Sequence, residues 1–208
     1  RSGLGQHLDI ALLDSHVALL ANQNSNYFNS GVAPTRAGNA HQNVVPYQVF
    51  AASDGHLIVA TGNESQYRAY CTAIGAAELG DDPRFATNRL RVTHRDTLVA
   101  LLAEIMRQGT RDDWIARLEA VGVPCGPIND IAQAFAHPQV AARQLRRDLP
   151  HPSGSVAPVT ASPLRFSASP VVYRRAPPLL GQHTEEVLRE VLGKSPEAIA
   201  AFTRGNTR

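Results

Sequence analysis

Residues 7–24 contain no proline, and a stripe at three- and four-residue steps runs through Leu8, Ala11, Leu12, Ser15, Leu19 and Asn22. That period predicts a helix. Apolar residues fill most of the rest of its circumference, so the helix is expected to be largely buried. The pattern lapses over residues 26–43, where Gly31, Pro34 and Gly38 stand among polar residues. A connection of that length argues for function or a domain crossing. Alternation at period two then marks strands at 44–51 and 56–60, joined at Ser53-Asp54-Gly55, a sequence with hairpin-turn chemistry.

Helical spacing returns at 64–74, ending at Gly75, and Asp81-Asp82-Pro83-Arg84-Phe85 reads as a turn feeding a short segment to Arg91. A helix opens at Thr93 or His94 and reaches about Arg107, with Leu98, Leu101, Leu102 and Ile105 as its inward stripe. Thr110 suits the N-cap of a helix over 111–120, with Asp112 and Asp113 favourably placed in its first turn and Gly122 closing it. Residues 124–128 read as a short strand, and 131–135 and 138–143 as two helical pieces split at His137-Pro138.

From 149 to 178 the texture changes. Seven prolines (150, 152, 158, 163, 170, 177 and 178) interrupt short extended runs such as 156–160 and 164–166. Such runs predict strands lying on another surface rather than a self-contained core. A helix over 184–192 is closed by Gly193, and Ser195-Pro196-Glu197 starts a last helix to Arg204, with proline in its first turn. Residues 44–128 thus form a plausible α+β unit, while the segments on either side each need a partner. No internal repeat is visible.

Composition narrows the function classes. With 43% hydrophobic and 18% charged residues among 208, the chain is ordinary globular material, not a disordered tail. Its net charge of +2 is dispersed, with Arg146-Arg147 and Arg174-Arg175 the only basic doublets and aromatics at 6%, a poor footprint for nucleic acid. No apolar run is long enough to span a membrane, and Arg1-Ser2-Gly3-Leu4-Gly5 shows no apolar signal segment and no initiator Met. Cys71 and Cys125 lie far apart without ligand-spaced partners. That argues against a zinc site and for small buried hydrophobes in a reducing, cytoplasmic setting, with a disulfide between them left open.

Motifs for serine hydrolysis, zinc hydrolysis and nucleotide phosphates are absent. Asp81-Asp82 before Pro83 is turn chemistry, Gly62-Asn63 a strand-to-helix turn, His16 a packed helix histidine and His183 a helix-entry residue. The most chemically dense stretch is residues 36–43, Arg36-Ala37-Gly38-Asn39-Ala40-His41-Gln42-Asn43. Its guanidinium, amides and imidazole can all hydrogen-bond an anionic or carbonyl ligand. The plainer reading is a solvated loop.

Several long strings carry a family likeness: GQHLDIALLD at 5–14, GNAHQNVVPYQ at 38–48, DDPRFATN at 81–88, GVPCGPIN at 122–129, HPSG at 151–154 and APPLLGQHT at 176–184. In order and spacing they resemble the class III coenzyme A transferase family (CaiB/BaiF type), which includes formyl-CoA, succinyl-CoA and carnitine CoA-transferases and the α-methylacyl-CoA racemases. The resemblance implies a fold with an α+β small domain plus the C-terminal part of an α/β, Rossmann-like large domain, in an interlocked homodimer and incomplete here. Residues 1–37 would be a helix and linker from the large domain, 38–130 the small domain, and 131–208 a C-terminal return segment packing on the large domain.

The resemblance also implies that the nucleophilic aspartate, and the racemase histidine and aspartate, lie upstream, so no catalytic residue is expected in this chain. The chain alone is expected to be inactive. The carried-over feature is a substrate loop, Gly38, Asn39, Ala40, His41, Gln42 and Asn43, where formyl-CoA transferases have a glycine tract. Side chains in place of bare backbone point to a dicarboxylate or hydroxy-dicarboxylate. Arg36 is a candidate carboxylate contact or a loop-stem arginine. The expected function is transfer of CoA from an acyl-CoA donor to a carboxylic, most consistently dicarboxylic, acid. The alternatives are a racemase-type member or a non-catalytic association fragment. CoA thioester would be substrate, with no covalently bound cofactor, no metal, no nucleic acid and no membrane.

Overall fold

The computed structural model describes residues 3–205 and divides the chain into two units, Arg1–Ile128 and Asn129–Arg208. In the first unit, the alternating segments form β1 (Tyr47–Ala51) and β2 (His56–Ala60), and a third strand, β3 (Cys125–Pro127), completes an antiparallel sheet in the order β1-β2-β3. Phe50 pairs with Leu57 and Gln48 with Val59. Phe50, Leu57 and Val59 are buried, as a half-buried sheet with period two requires. The turn between β1 and β2 closes with Ala52 N–H donating to Gly55 C=O at 2.8 Å, and the Asp54 carboxylate accepts the backbone N–H of Arg111 at 2.7 Å.

Two short helices, α1 (Leu12–Ala18) and α2 (Asn22–Ser30), stand ahead of the sheet. Behind β2 come α3 (Glu64–Ala73), α4 (Ala77–Asp81), α5 (Asn88–Thr93), α6 (Arg95–Met106) and α7 (Arg111–Ala120). Side-chain caps start three of these: Asn63 accepts from Gln66 N–H, Thr87 from Leu90 N–H and Thr110 from Asp113 N–H. Each such cap contributes about 1 kcal/mol. Tyr67, Tyr70, Cys71, Phe85, Leu98, Leu102, Met106 and Leu118 are fully enclosed with the sheet residues in one core. Each large apolar side chain so buried contributes about 1.5–3 kcal/mol.

The helix expected over 7–24 is corrected to two helices, broken where Ala21 takes φ +48°. The polar run Asn22-Gln23-Asn24 offers side-chain bonds that compete with a continuous helix, and Asn24 Nδ2 donates to Val17 C=O at 3.2 Å. Nor is that stretch buried: Leu12 is 80% and Leu13 73% exposed, and His16 is also exposed. The expected loop over 26–43 is shortened, because α2 continues to Ser30 and stops where Gly31, at φ +70°, turns its N–H to Tyr27 C=O at 2.8 Å, a left-handed helix stop. On α6 the buried stripe is Leu98, Leu102 and Met106, while Leu101 faces outward.

The second unit begins with α8 (Ile131–Ala136), which has a full capping box between Asp130 and Gln133, and α9 (Pro138–Ala142). An antiparallel hairpin follows, β4 (Arg146–Pro150) with β5 (Val156–Thr160). Residues 164–166 are not a strand. β4 carries Arg146-Arg147-Asp148, which hid it from a hydrophobicity pattern. The helix expected over 184–192 is one α-turn, α10 (Thr184–Glu186), running into a π-helical turn at Val187–Val191, and α11 (Pro196–Gly205) follows. Ile199 is the single buried hydrophobic residue of this unit among the described residues, so its extended segments lack a core of their own.

Candidate functional site

β1 is an edge strand, and the loop ahead of it lies along the edge that β2 leaves unpaired. Gly38 takes φ +60°, and the turn is closed by Ala40 N–H on Ala37 C=O at 3.0 Å. The Asn39 side-chain oxygen then accepts Val49 N–H at 2.9 Å, and His41 N–H donates to Tyr47 C=O at 2.9 Å. Two orphan groups of the strand edge are thereby satisfied. The His41 ring stacks on Tyr47 at 5.2 Å with 13° between the planes, and its Nδ1 accepts Asn43 N–H at 3.1 Å. An accepting Nδ1 leaves the ring proton on Nε2, as a donor.

The other side of the loop is held by two side chains, Arg95 and Asn88. Arg95 Nη2 donates to His41 C=O at 2.9 Å and to Gln42 C=O at 2.7 Å, while its Nη1 is buried without a hydrogen-bond partner. Asn88 Nδ2 donates to Asn43 C=O at 2.7 Å and its Oδ1 accepts Val45 N–H at 3.1 Å. Asn88 N–H in turn donates to Glu64 Oε1 at 3.0 Å, the main reason the Glu64 carboxyl titrates below the usual carboxylate range, with Arg91 and Arg68 adding to it.

Beneath the loop's end sits Arg91, fully buried. Its Nε donates to Val45 C=O at 2.7 Å and its Nη1 to Phe85 C=O at 3.0 Å, and its guanidinium lies 4.3 Å from the Tyr67 ring centroid.

Gln42 and Asn43 turn back toward α2: Gln42 Nε2 donates to Thr35 C=O at 3.1 Å and Asn43 Nδ2 to Asn26 Oδ1 at 2.9 Å. Between them and α2 opens a cleft of about 600 Å³ whose polar lining includes Ser25, Asn26, Asn29, Thr35, Gln42 and Asn43. Amides and hydroxyls line it, and no ionisable side chain does. Such a wall can orient an oxygen-rich ligand but supplies no general base to activate its hydroxyls.

The structure thus brings Gly38 to Asn43 together on one rim, while Arg36 is exposed and makes no hydrogen bond or ion pair among the described residues. Asn26, Asn88 and Arg95, which hold the rim, were not singled out in the sequence. Asn88 sits in a string quoted for other reasons, and Arg95 carries no local signal beyond its place in the helix expected from Thr93 or His94. Among the described residues no cluster of three or more His, Cys, Asp and Glu is placed to hold a metal ion. Cys71 and Cys125 are both free thiols. Among the described residues no helix is long and apolar enough to cross a membrane.

The family model for CoA-transferase family III matches residues 1–184. This chain belongs to CoA-transferase family III. Over 191 residues it is 45% identical to the succinate–glutarate CoA-transferase of Agrobacterium fabrum, covering 92% of this chain and 48% of that protein. It is 37% identical over 199 residues to the succinyl-CoA:glutarate CoA-transferase of Homo sapiens, covering 96% of this chain and 45% of that protein. A CAIB/BAIF family protein from Brucella suis has a similar crystal structure, with a TM-score of 0.74 and 44% identity over 91% of this chain and 49% of its own. This family III chain therefore spans about half the length of the curated relatives it matches.

Proposed function

We propose that the complete protein is a CoA-transferase that moves CoA from an acyl-CoA donor to a dicarboxylic acid, with succinyl-CoA and glutarate the first pair to test. The observation that carries this reading is the rim at 38–43: Asn39, His41, Gln42 and Asn43 bring hydrogen-bonding side chains to it, and the cleft beside it has hydroxyls but no ionisable side chain to activate one as a nucleophile. As the family resemblance implies, the nucleophile is placed on an aspartate upstream of this chain. Its carboxylate would attack the donor thioester carbonyl, forming a mixed anhydride and releasing CoA thiolate. The thiolate would then attack the aspartyl carbonyl of the anhydride, releasing the donor acid and leaving an aspartyl-CoA thioester. The acceptor carboxylate would reverse the sequence, forming a second anhydride from which thiolate takes the acceptor acyl group. One hard exchange is split into easier displacements.

In this reading His41 Nε2–H and the Gln42 and Asn43 amides address the far carboxylate of the acid, Gly38, Asn39 and Ala40 shape the backbone beside it, and Arg36, free of other partners, supplies a guanidinium for the same group. The rim also keeps water from the anhydrides. Residues 38–130 are the small domain, residues 1–37 and 131–208 belong to the large domain, and the whole works as an interlocked homodimer in the cytoplasm. The test is to incubate succinyl-CoA and glutarate with this chain alone and with the upstream half co-expressed, following glutaryl-CoA by chromatography. Transfer is expected only when both halves are present and should vanish when the upstream aspartate is replaced by asparagine. Transfer by this chain alone would overturn the proposal.

A further inference from the structure

Strand alternation puts Arg147 on the opposite face of β4 from Arg146 and Asp148. Arg146 pairs with Asp148 at 3.0 Å. Arg147 instead lies over Tyr173, 5.6 Å from the ring centroid, with its Nε buried and without a hydrogen-bond partner. The ring is held in place by its hydroxyl, which accepts Ser162 N–H at 2.5 Å. Arg165 reaches in from the irregular segment and donates to Arg143 C=O at 2.5 Å.

Arg143, Arg147 and Arg165 line one cleft of about 260 Å³ in the second unit, which no Asp or Glu lines. Among the described residues none of the three has a carboxylate within ion-pair distance. The stretch from 143 to 175 holds six arginines against one acid, Asp148. Like charges at a recess without a counter-ion repel one another, and guanidinium groups match the planar edges of oxyanions. A buried guanidinium N–H left unpaired is costly in itself.

We infer that this cleft is a binding site for a phosphate group, free or carried on an ester, and that it is distinct from the rim at 38–43. Arg147 and Arg165 supply the charged donors, and Phe166 and Tyr173 form an apolar wall for the organic part of an ester.

The experiment is an NMR titration of the 208-residue chain at constant ionic strength, following arginine Nε–H signals. Inorganic phosphate, pyrophosphate, coenzyme A and succinate are separate arms. Saturable one-to-one shifts at Arg147 and Arg165 are expected with phosphate ligands. Binding should weaken about tenfold in Arg165→Met, whose side chain is exposed. Arg147→Lys should weaken it similarly, with circular dichroism confirming the fold. Arg146→Met, on the other face, should leave it unchanged. Tighter binding of coenzyme A than of inorganic phosphate would assign an ester as the source, and the reverse order a free phosphate. Absence of saturation, equal weakening by Arg146→Met, or equal affinity for succinate would overturn the assignment.

Discussion

Replacing Arg91 by methionine tests what fastens the end of the loop to the core. The guanidinium is fully buried and serves two backbone carbonyls, Val45 at 2.7 Å and Phe85 at 3.0 Å, while the carboxylate of Glu64 stands 3.9 Å away with 46% of its side chain exposed. Removing the guanidinium leaves two buried acceptors unpaired, at roughly 1–3 kcal/mol each, and forfeits about 1 kcal/mol of cation–π attraction to Tyr67. Against this, the substitution recovers the desolvation of a buried charge, the effect that lowers the Arg91 pKa, and methionine fills part of the space.

The net expectation is a loss of about 3 kcal/mol, or a Tm lower by roughly 6–12 °C. Glu64→Gln keeps an oxygen for Asn88 N–H and removes only a screened charge, so its loss should stay below about 1 kcal/mol. Urea unfolding followed by the fluorescence of Trp114, the chain's single tryptophan and a member of the same unit, measures both. If Glu64→Gln costs as much as Arg91→Met, the ion pair and not the carbonyl bonding is the fastener, and the reasoning fails.

Three further outcomes are expected. A Cβ built on Gly109 would stand 2.6 Å from the Trp114 ring. Gly109→Ala should therefore cost roughly 1–3 kcal/mol and shift the tryptophan emission, by displacing a ring whose Nε1 donates to Met106 C=O at 2.7 Å. Burial pushes the Cys71 thiol up to about 11, while Cys125 is only partly buried. A thiol reagent at neutral pH should label Cys125 first and reach Cys71 only on unfolding, as mass spectrometry would report. Glu64 and Asp82 both titrate below their ordinary range, Glu64 through Asn88 N–H and Asp82 through Arg84. Their contribution is complete above the ordinary carboxylate pKa and is lost as pH falls through the depressed values. Urea midpoints should thus fall on the acid side, with a shallower fall in Glu64→Gln.

Elements whose own residues specify them were legible. The 56–60 and 111–120 segments carry strand alternation and a threonine cap, and their bounds match the structure. Where tertiary bonding decides, sequence patterning misled. The apolar period over 7–24 is real, yet a period does not register the polar run Asn22-Gln23-Asn24, whose side chains compete with the helix at the Ala21 break. β4 was hidden because its first three residues, Arg146-Arg147-Asp148, are all charged, although Arg147 turns inward over Tyr173 while Arg146 and Asp148 are exposed. The rim residues were picked out by composition, but the groups that fix them, Asn88 and Arg95, are 45 to 54 positions away, and no local pattern announces such a partner.

The stitching of residues 39–43 along the outer side of β1 has a mechanical corollary. The polar groups facing the α2 cleft cannot peel away as a flap without surrendering the bonds to Val49, Tyr47, Asn88 and Arg95 together, so they ride with the sheet as a single piece. An incoming molecule meets hands already raised, since the freedom of that segment was given up when the chain folded. Substitutions deep under the strand, at Leu57 or Val59, would then tilt the rim and alter ligand preference from a distance, with no change in any residue the ligand touches.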